Sequence, residues 1–198
     1  MGRSYDAAMI ALPLETQRLR LELPNLSSAQ DLADHLDFIR QERVARMLAT
    51  VPHPYPDDEL PKRYALWHQA YDQDEDNLVF IIRERSSGRL VGSCGFQLLE
   101  NRTQMEPGYV FAPAVWGQGY ATEVLIALIT EGLNAYPSVT QVSCPHFADN
   151  PASGRVMKKA GLKFWYEDRH ACAARGPGKY PAKVLSLPDD SPLWPQNR

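Results

Sequence analysis

Trp116-Gly117-Gln118-Gly119-Tyr120-Ala121-Thr122-Glu123 is the segment from which the fold is read. Two glycines bracket one residue, and a helical pattern then begins, with Ala121, Val124, Leu125, Leu128 and Leu133 on one face. A helix start leaves about four backbone N–H groups without internal partners, at the positive end of the helix dipole. Glycines remove the Cβ atoms that would hold an anion away, so the segment reads as a pyrophosphate cradle, with the Thr122 hydroxyl as an extra donor. Taken alone, the same residues also read as a tight turn. They are not the dinucleotide fingerprint, because Thr122 stands where its third glycine belongs. Gly176-Pro177-Gly178-Lys179 lacks the phosphate-loop spacing and reads as a loop.

On the N-terminal side of the cradle, residues 104–111 read as a strand interrupted by Pro107-Gly108, a pair that marks an edge or a bulge. Before it, 78–82 and 90–99 flank Ser86-Ser87-Gly88-Arg89 as a β-hairpin. Residues 17–23 alternate, with Leu19, Leu21 and Leu23 on one face. Helices are predicted from Leu26-Ser27-Ser28 through Ile39, from Val44 to Leu48, and after Asp57 or Asp58, whose stripe is Leu60, Tyr64, Trp67 and Tyr71. On the C-terminal side, Val139 to Cys144 reads as a strand. Asn150-Pro151 opens a helix that Gly161 closes. Leu162 to Tyr166 and Ala182 to Leu187 read as the last strands, and 188–198 as an irregular tail. Antiparallel hairpins beside a β-α-β unit predict an α+β fold: a mixed, mostly antiparallel sheet of about six to seven strands, splayed at its centre and flanked by about four helices. One domain over 1–198, with its core at about 15–187, accounts for the pattern.

Composition excludes several classes. The chain has 198 residues, 44% hydrophobic and 23% charged, which is ordinary for a globular domain and excludes global disorder or coiled coil. No apolar run approaches a membrane span of about 18 residues. Met1 to Leu14 lacks the pattern of a secretory leader, and Asp6 breaks the myristoylation pattern that Met1-Gly2 opens, so the expected compartment is the cytoplasm. With 21 Lys and Arg against 24 Asp and Glu and no basic block, a nucleic-acid surface is not expected. Cys94, Cys144 and Cys172 show no zinc-type spacing, so no metal is expected and each reads as a small buried residue.

Three segments read together are specific: Glu106-Pro107-Gly108-Tyr109-Val110-Phe111, then Trp116 to Glu123, then Asn150-Pro151-Ala152-Ser153 with Lys159-Ala160-Gly161-Leu162. Together they resemble the GNAT superfamily of N-acetyltransferases over about residues 15–187. Glu15-Thr16-Gln17-Arg18-Leu19-Arg20-Leu21 is similar to the first strand of its bacterial ribosomal-protein N-terminal branch. The resemblance implies acetyl-CoA as acyl donor. It places the cradle on the N–H groups of Trp116, Gly117, Gln118, Gly119, Tyr120, Ala121 and Thr122. It pairs the pantetheine arm with the backbone of Tyr109, Val110 and Phe111, and with the Asn150 amide. It assigns Ser153 as proton donor to the leaving thiolate. Pro107 departs from the aliphatic residue more usual in that strand.

Acetyl transfer to nitrogen needs a neutral amine. An α-amine with pKa near 8 is about one fifth neutral at pH 7.4, whereas a lysine is neutral about one part in a thousand, a cost of about 4 kcal/mol. Glu106 and His146 are the candidate bases. His35, His53, His68 and His170 read as structural, and Glu167 faces the acceptor on position alone. Helices between residues 27 and 75 and a loop at 167–180 are expected to wall the acceptor pocket. The implied function is transfer from acetyl-CoA to a peptide N-terminal amine. The alternatives are a small-molecule amine acetyltransferase (polyamine, aminoglycoside or amino acid), a non-catalytic acyl-CoA-binding or partner-binding domain, and a nucleotide-binding module; the chain is expected as a monomer or homodimer.

Overall fold

The computed structural model describes residues 10–196, so the N-terminal reading at Met1, Gly2 and Asp6 lies outside the described residues. The elements are β1 (Leu14–Glu15), β2 (Leu19–Glu22), α1 (Ala29–Ile39), α2 (Glu42–Ala45), α3 (Glu59–Asp72), β3 (Asn77–Glu84), β4 (Leu90–Leu99), β5 (Gln104–Phe111), α4 (Tyr120–Ala135), β6 (Gln141–Phe147), α5 (Pro151–Lys159), β7 (Lys163–Ala171) and β8 (Lys179–Ser186). The strands run β1-β2-β3-β4-β5-β6-β8-β7. Among the described residues only β5 and β6 pair in parallel; every other neighbouring pair is antiparallel.

The mixed sheet is the expected one, but among the described residues it has eight strands, with five α-helices. The extra strand, β1, is two residues long and too short to show alternation. Strand β7 continues to Ala171, five residues beyond Tyr166. Its burial pattern shows why the sequence hides this: nearly every residue is exposed, so neither face carries an apolar signature. Asp58 is the N-cap of α3 as expected, but its carboxylate bonds Lys62 Nζ at 2.6 Å and caps no helix N–H.

Apolar layers cover the two faces of the sheet. Val124, Leu125, Leu128 and Ile129 of α4 are fully buried on one face, together with buried Phe111, Met105 and Phe96, and half-buried Tyr109 packs against them. On the other face Phe38, Ile39, Leu60 and Tyr64 of α1 and α3 pack with Ile81 and Val110. Buried His35 meets the Tyr64 hydroxyl at 3.0 Å, and desolvation holds its pKa down to about 3, which suits the structural role expected of it. Arg83 ties the layers to the sheet through Asp31 (3.0 Å) and Glu22 (2.8 Å).

The parallel pairing of β5 and β6 is confined to Gln104 with Gln141 and Met105 with Val142. Beyond Met105 the strands part and the sheet opens into a V. Strand β5 remains paired to β4 along its whole length, with Pro107 opposite Phe96 and Gly108 opposite Gly95. Pro107-Gly108 therefore forms no bulge in the β4–β5 ladder, and it sits where β5 has become an edge on its other side. The Ala112 N–H bonds the Val91 carbonyl at 2.8 Å, and backbone groups alternate sides along a strand. Residues 107, 109 and 111 thus present theirs to the gap, and the Pro107 carbonyl accepts there from Cys144 Sγ at 3.1 Å. The N–H that proline lacks would have pointed into the opening, so its absence leaves the β4 ladder intact.

Candidate active site

A cleft of about 1010 Å³ occupies the V and runs to the start of α4. Its cofactor end is made of backbone. Gly117 (φ +81°) and Gly119 (φ +83°) adopt the left-handed conformation that glycine takes without strain, and Gly119 is the N-cap of α4. A Cβ at Gly117 would meet open space. The Trp116 N–H is engaged by the Pro113 carbonyl at 3.2 Å. The cradle therefore narrows to the N–H groups of residues 117–122, which have no acceptor among the described residues.

Side chains fix this turn from outside. Arg18 donates to the Gln118 carbonyl at 2.8 Å and to Glu123 at 2.7 Å, while Glu123 also accepts from the Arg18 N–H and the Thr16 hydroxyl. Burial pushes the Glu123 carboxyl upward, but the bond from the Thr16 hydroxyl and those from Arg18 together outweigh it and hold the group below its usual range. Tyr120 lies under the Arg18 guanidinium at 4.6 Å and donates to Glu84 at 2.6 Å. Ala121 and Thr122 line the cleft. The Trp116 indole donates to the Phe111 carbonyl at 2.8 Å, and Arg43 lies over its ring at 5.6 Å. Along β5, the N–H and C=O of Tyr109 and the N–H of Phe111 remain open to the gap, whereas the Val110 backbone faces β4.

Helix α5 brings the second set of groups. Asn150 caps it, its side chain accepting from the Ser153 N–H at 3.2 Å. Ser153 lines the cleft, and its Oγ lies 2.9 Å from the Tyr109 hydroxyl. Sequence reasoning attached Tyr109 to the site through its backbone alone. Its side-chain contact joins positions 44 residues apart, which no local pattern signals.

Glu106 shares a side-chain parity with Val110, so it faces the α1–α3 layer while Tyr109 faces α4 and α5. Burial pushes the Glu106 carboxyl upward, opposed by His170. His170, which reads as structural in the sequence, stands 3.2 Å from Asp168 and is not among the residues lining the cleft. His146 lines the cleft, with Nδ1 2.8 Å from the Phe147 carbonyl, so Nδ1 carries the hydrogen. Its Nε2 lies against Gly154 of α5, where an added Cβ would come within 2.8 Å. Glu167 lies within β7 opposite Lys183, on a separate depression away from the cleft.

The opposite end, where the acceptor pocket is expected, is lined by Trp67 of α3 and by Met47 and Tyr55 of the α2–α3 connection, with Asn77 and Gln97 from the sheet. A strap from the β7–β8 connection is tied to segment 46–49, of which 47–49 line the cleft. Ala173 N–H bonds the Ala49 carbonyl at 3.0 Å, and Cys172 Sγ donates to the Leu48 carbonyl at 3.3 Å. Arg175 donates to the Arg46 carbonyl at 2.7 Å, pairs with Asp149 at 3.0 Å and lies over the Phe147 ring at 4.5 Å. Among the cleft-lining residues Glu106 is the one carboxylate, against Arg43, Arg63, Arg155 and Lys159.

Comparison with known proteins follows the same outline. The profile of the acetyltransferase (GNAT) domain matches residues 18–163. Protein YkkB of Bacillus subtilis is 31% identical over 112 residues, covering 54% of this chain and 63% of YkkB. The N-acetyltransferase YoaA of the same organism is 30% identical over 95 residues, covering 48% of this chain and 53% of its own. The matched part thus spans less than two thirds of each relative. Among solved structures, a ribosomal-protein-serine acetyltransferase from Vibrio cholerae superposes with a TM-score of 0.71 at 17% identity, covering 91% of this chain and 99% of that one.

Proposed function

The chain belongs to the GNAT acetyltransferase family, whose enzymes take acetyl-CoA as acyl donor, and we propose that it acetylates an amine carrying a single positive charge, best met by a peptide N-terminal α-amine. The observation that carries this reading is the charge of the cleft: one carboxylate, Glu106, among four Lys and Arg side chains. Such a lining attracts the phosphates of the donor and repels polycations such as polyamines and aminoglycosides. A ribosomal L7/L12 α-N-protein acetyltransferase is among the similar folds, with a TM-score of 0.70 at 13% identity, covering 90% of this chain and 97% of that one.

The cradle suits a pyrophosphate: unbonded N–H groups at 117–122, glycines at positive φ and cations near by. Acetyl-CoA supplies the activated acyl carbonyl. The Tyr109 N–H, open to the gap, donates to that carbonyl oxygen. Glu106 approaches from the α1–α3 side and takes the proton that the attacking nitrogen sheds. Its burial makes it a stronger base than an exposed carboxylate. As the C–N bond forms and the C–S bond breaks, the electron pair passes to sulfur and Ser153 supplies the proton. Base and acid thus stand on opposite faces of one strand. Pro107 does not disturb this arrangement, because the β4–β5 ladder is regular through it.

The test is thiol release from acetyl-CoA with a panel of a free-N-terminus peptide, a lysine peptide blocked at its N-terminus, a polyamine and an aminoglycoside. The free-N-terminus peptide is expected to give the highest kcat/KM. Preference for a polycation overturns the acceptor assignment. No thiol release with any amine overturns the transfer itself. Ser153→Ala is expected to lower kcat about 100-fold with acetyl-CoA binding retained.

A further inference from the structure

The Tyr109 hydroxyl stands 2.9 Å from Ser153 Oγ and 3.4 Å from the Ser153 carbonyl. The carbonyl only accepts and is the longer contact; in the 2.9 Å contact either oxygen can donate, and the phenol hydrogen is available to it. Burial raises the Tyr109 phenol, which keeps that hydrogen in place across the working pH range. The serine is held from behind as well, since its N–H is bonded to Asn150 at 3.2 Å. A serine hydroxyl has one hydrogen and two lone pairs. When the phenol is the donor, it occupies a serine lone pair and the serine hydrogen is the one left to turn into the cleft.

We infer that Tyr109 is a positioning residue for the acid step: its O–H donates to Ser153 Oγ and so aims the serine's own hydrogen at the departing sulfur. This rests on the reading of Ser153 given above. When the C–S bond breaks, the electron pair goes to sulfur and the serine proton follows it. The negative charge left on Oγ is stabilised by the Tyr109 donor until water entering the cleft returns a proton. Tyr109 also accounts for how a serine, a weak acid in water, donates here: a hydrogen bond received by its oxygen strengthens its acidity.

The test is a double-mutant cycle on the full chain, reading kcat and the KM for acetyl-CoA. Tyr109→Phe keeps the ring and removes the hydroxyl. It is expected to lower kcat about tenfold with the acetyl-CoA KM changed less than about twofold. In a Ser153→Ala background the same change is expected to have almost no further effect on kcat, because the partner through which it acts is gone. Unchanged kcat in Tyr109→Phe, additive losses in the double variant, or a loss expressed in KM each overturns the inference. If Tyr109→Phe does not fold, 3,5-difluorotyrosine at position 109 retains the shape and the hydroxyl while lowering its pKa. The high-pH limb of kcat is then expected to move to lower pH as the donor ionises, and an unmoved limb overturns the inference. A wild-type chain that acetylates no amine defeats the proposed function. An active wild type with a crippled Ser153→Ala and a normal Tyr109→Phe defeats only the role of Tyr109.

Discussion

The two ends of the cleft are built from different materials. The cofactor end is main chain: a turn with two glycines at positive φ, the first N–H groups of α4, and the open edge of β5. The acceptor end is side chain: Trp67, Tyr55, Asn77 and Gln97 from separate elements, with a strap pinned by Arg175. Backbone sites recognise what every substrate pair shares, the donor. Side-chain sites recognise what distinguishes one acceptor from another. Damage to one end should therefore leave the other end measurable.

The largest expected effect is on the cofactor end. Gly117→Glu adds a carboxylate beside the cradle at a position with open space but φ +81°. Ligand at about 100 times its Kd stabilises a protein by about 2.7 kcal/mol, or about 5–10 °C for a domain of this size. That shift with acetyl-CoA should vanish in the variant, whose own Tm falls by the cost of a left-handed residue, about 1–2 kcal/mol. An intact shift would mean that the donor is held elsewhere.

Next is the base. Glu106→Gln should lower kcat about 30-fold and leave the acetyl-CoA shift unchanged. The sign of its pH dependence follows from burial. Glu106 works as the carboxylate, and burial raises its pKa, so wild-type activity should fall as pH drops through that raised value. The Gln variant should lack this acid limb in a pH–rate profile. An identical limb in both would move the base role to another group, with His146 next in line.

The smallest effect is on the strap. Arg175→Ala removes its bonds to Arg46 and Asp149 and its contact with the Phe147 ring. It should raise the acceptor KM about fivefold, in proportion to about 1 kcal/mol of lost ordering, with the acetyl-CoA KM unchanged. Equal changes in both KM values would show that the ends are coupled and would break the comparison.

The same contrast explains what was legible in the sequence. Gly117, Gly119 and the Asn150 cap act on residues within a few positions of themselves, so their pattern is local and readable. The hairpin of β3 and β4 and the stripe of α4 are readable for the same reason. Contacts between distant segments leave no such trace. Tyr109 meets Ser153 across 44 residues, and Cys172 reaches Leu48 across 124. His170 reads as an isolated histidine until the fold sets it near Glu106. Strand β7 escaped in part because exposed edge residues need not alternate.

Pro107 makes β5 a ruler with one graduation erased. Main-chain donors on the open edge recur every second residue, a step of about 7 Å. Those of Tyr109 and Phe111 remain, and the one nearer the apex of the V is missing. An extended ligand arm lying along β5 finds its bonds at two fixed marks. Sliding one step deeper would cost it a partner, because position 107 offers only a carbonyl already taken by Cys144. On the proposed function, a residue at odds with a regular strand thus becomes a depth stop, setting how far a thioester would travel toward Ser153 and Glu106.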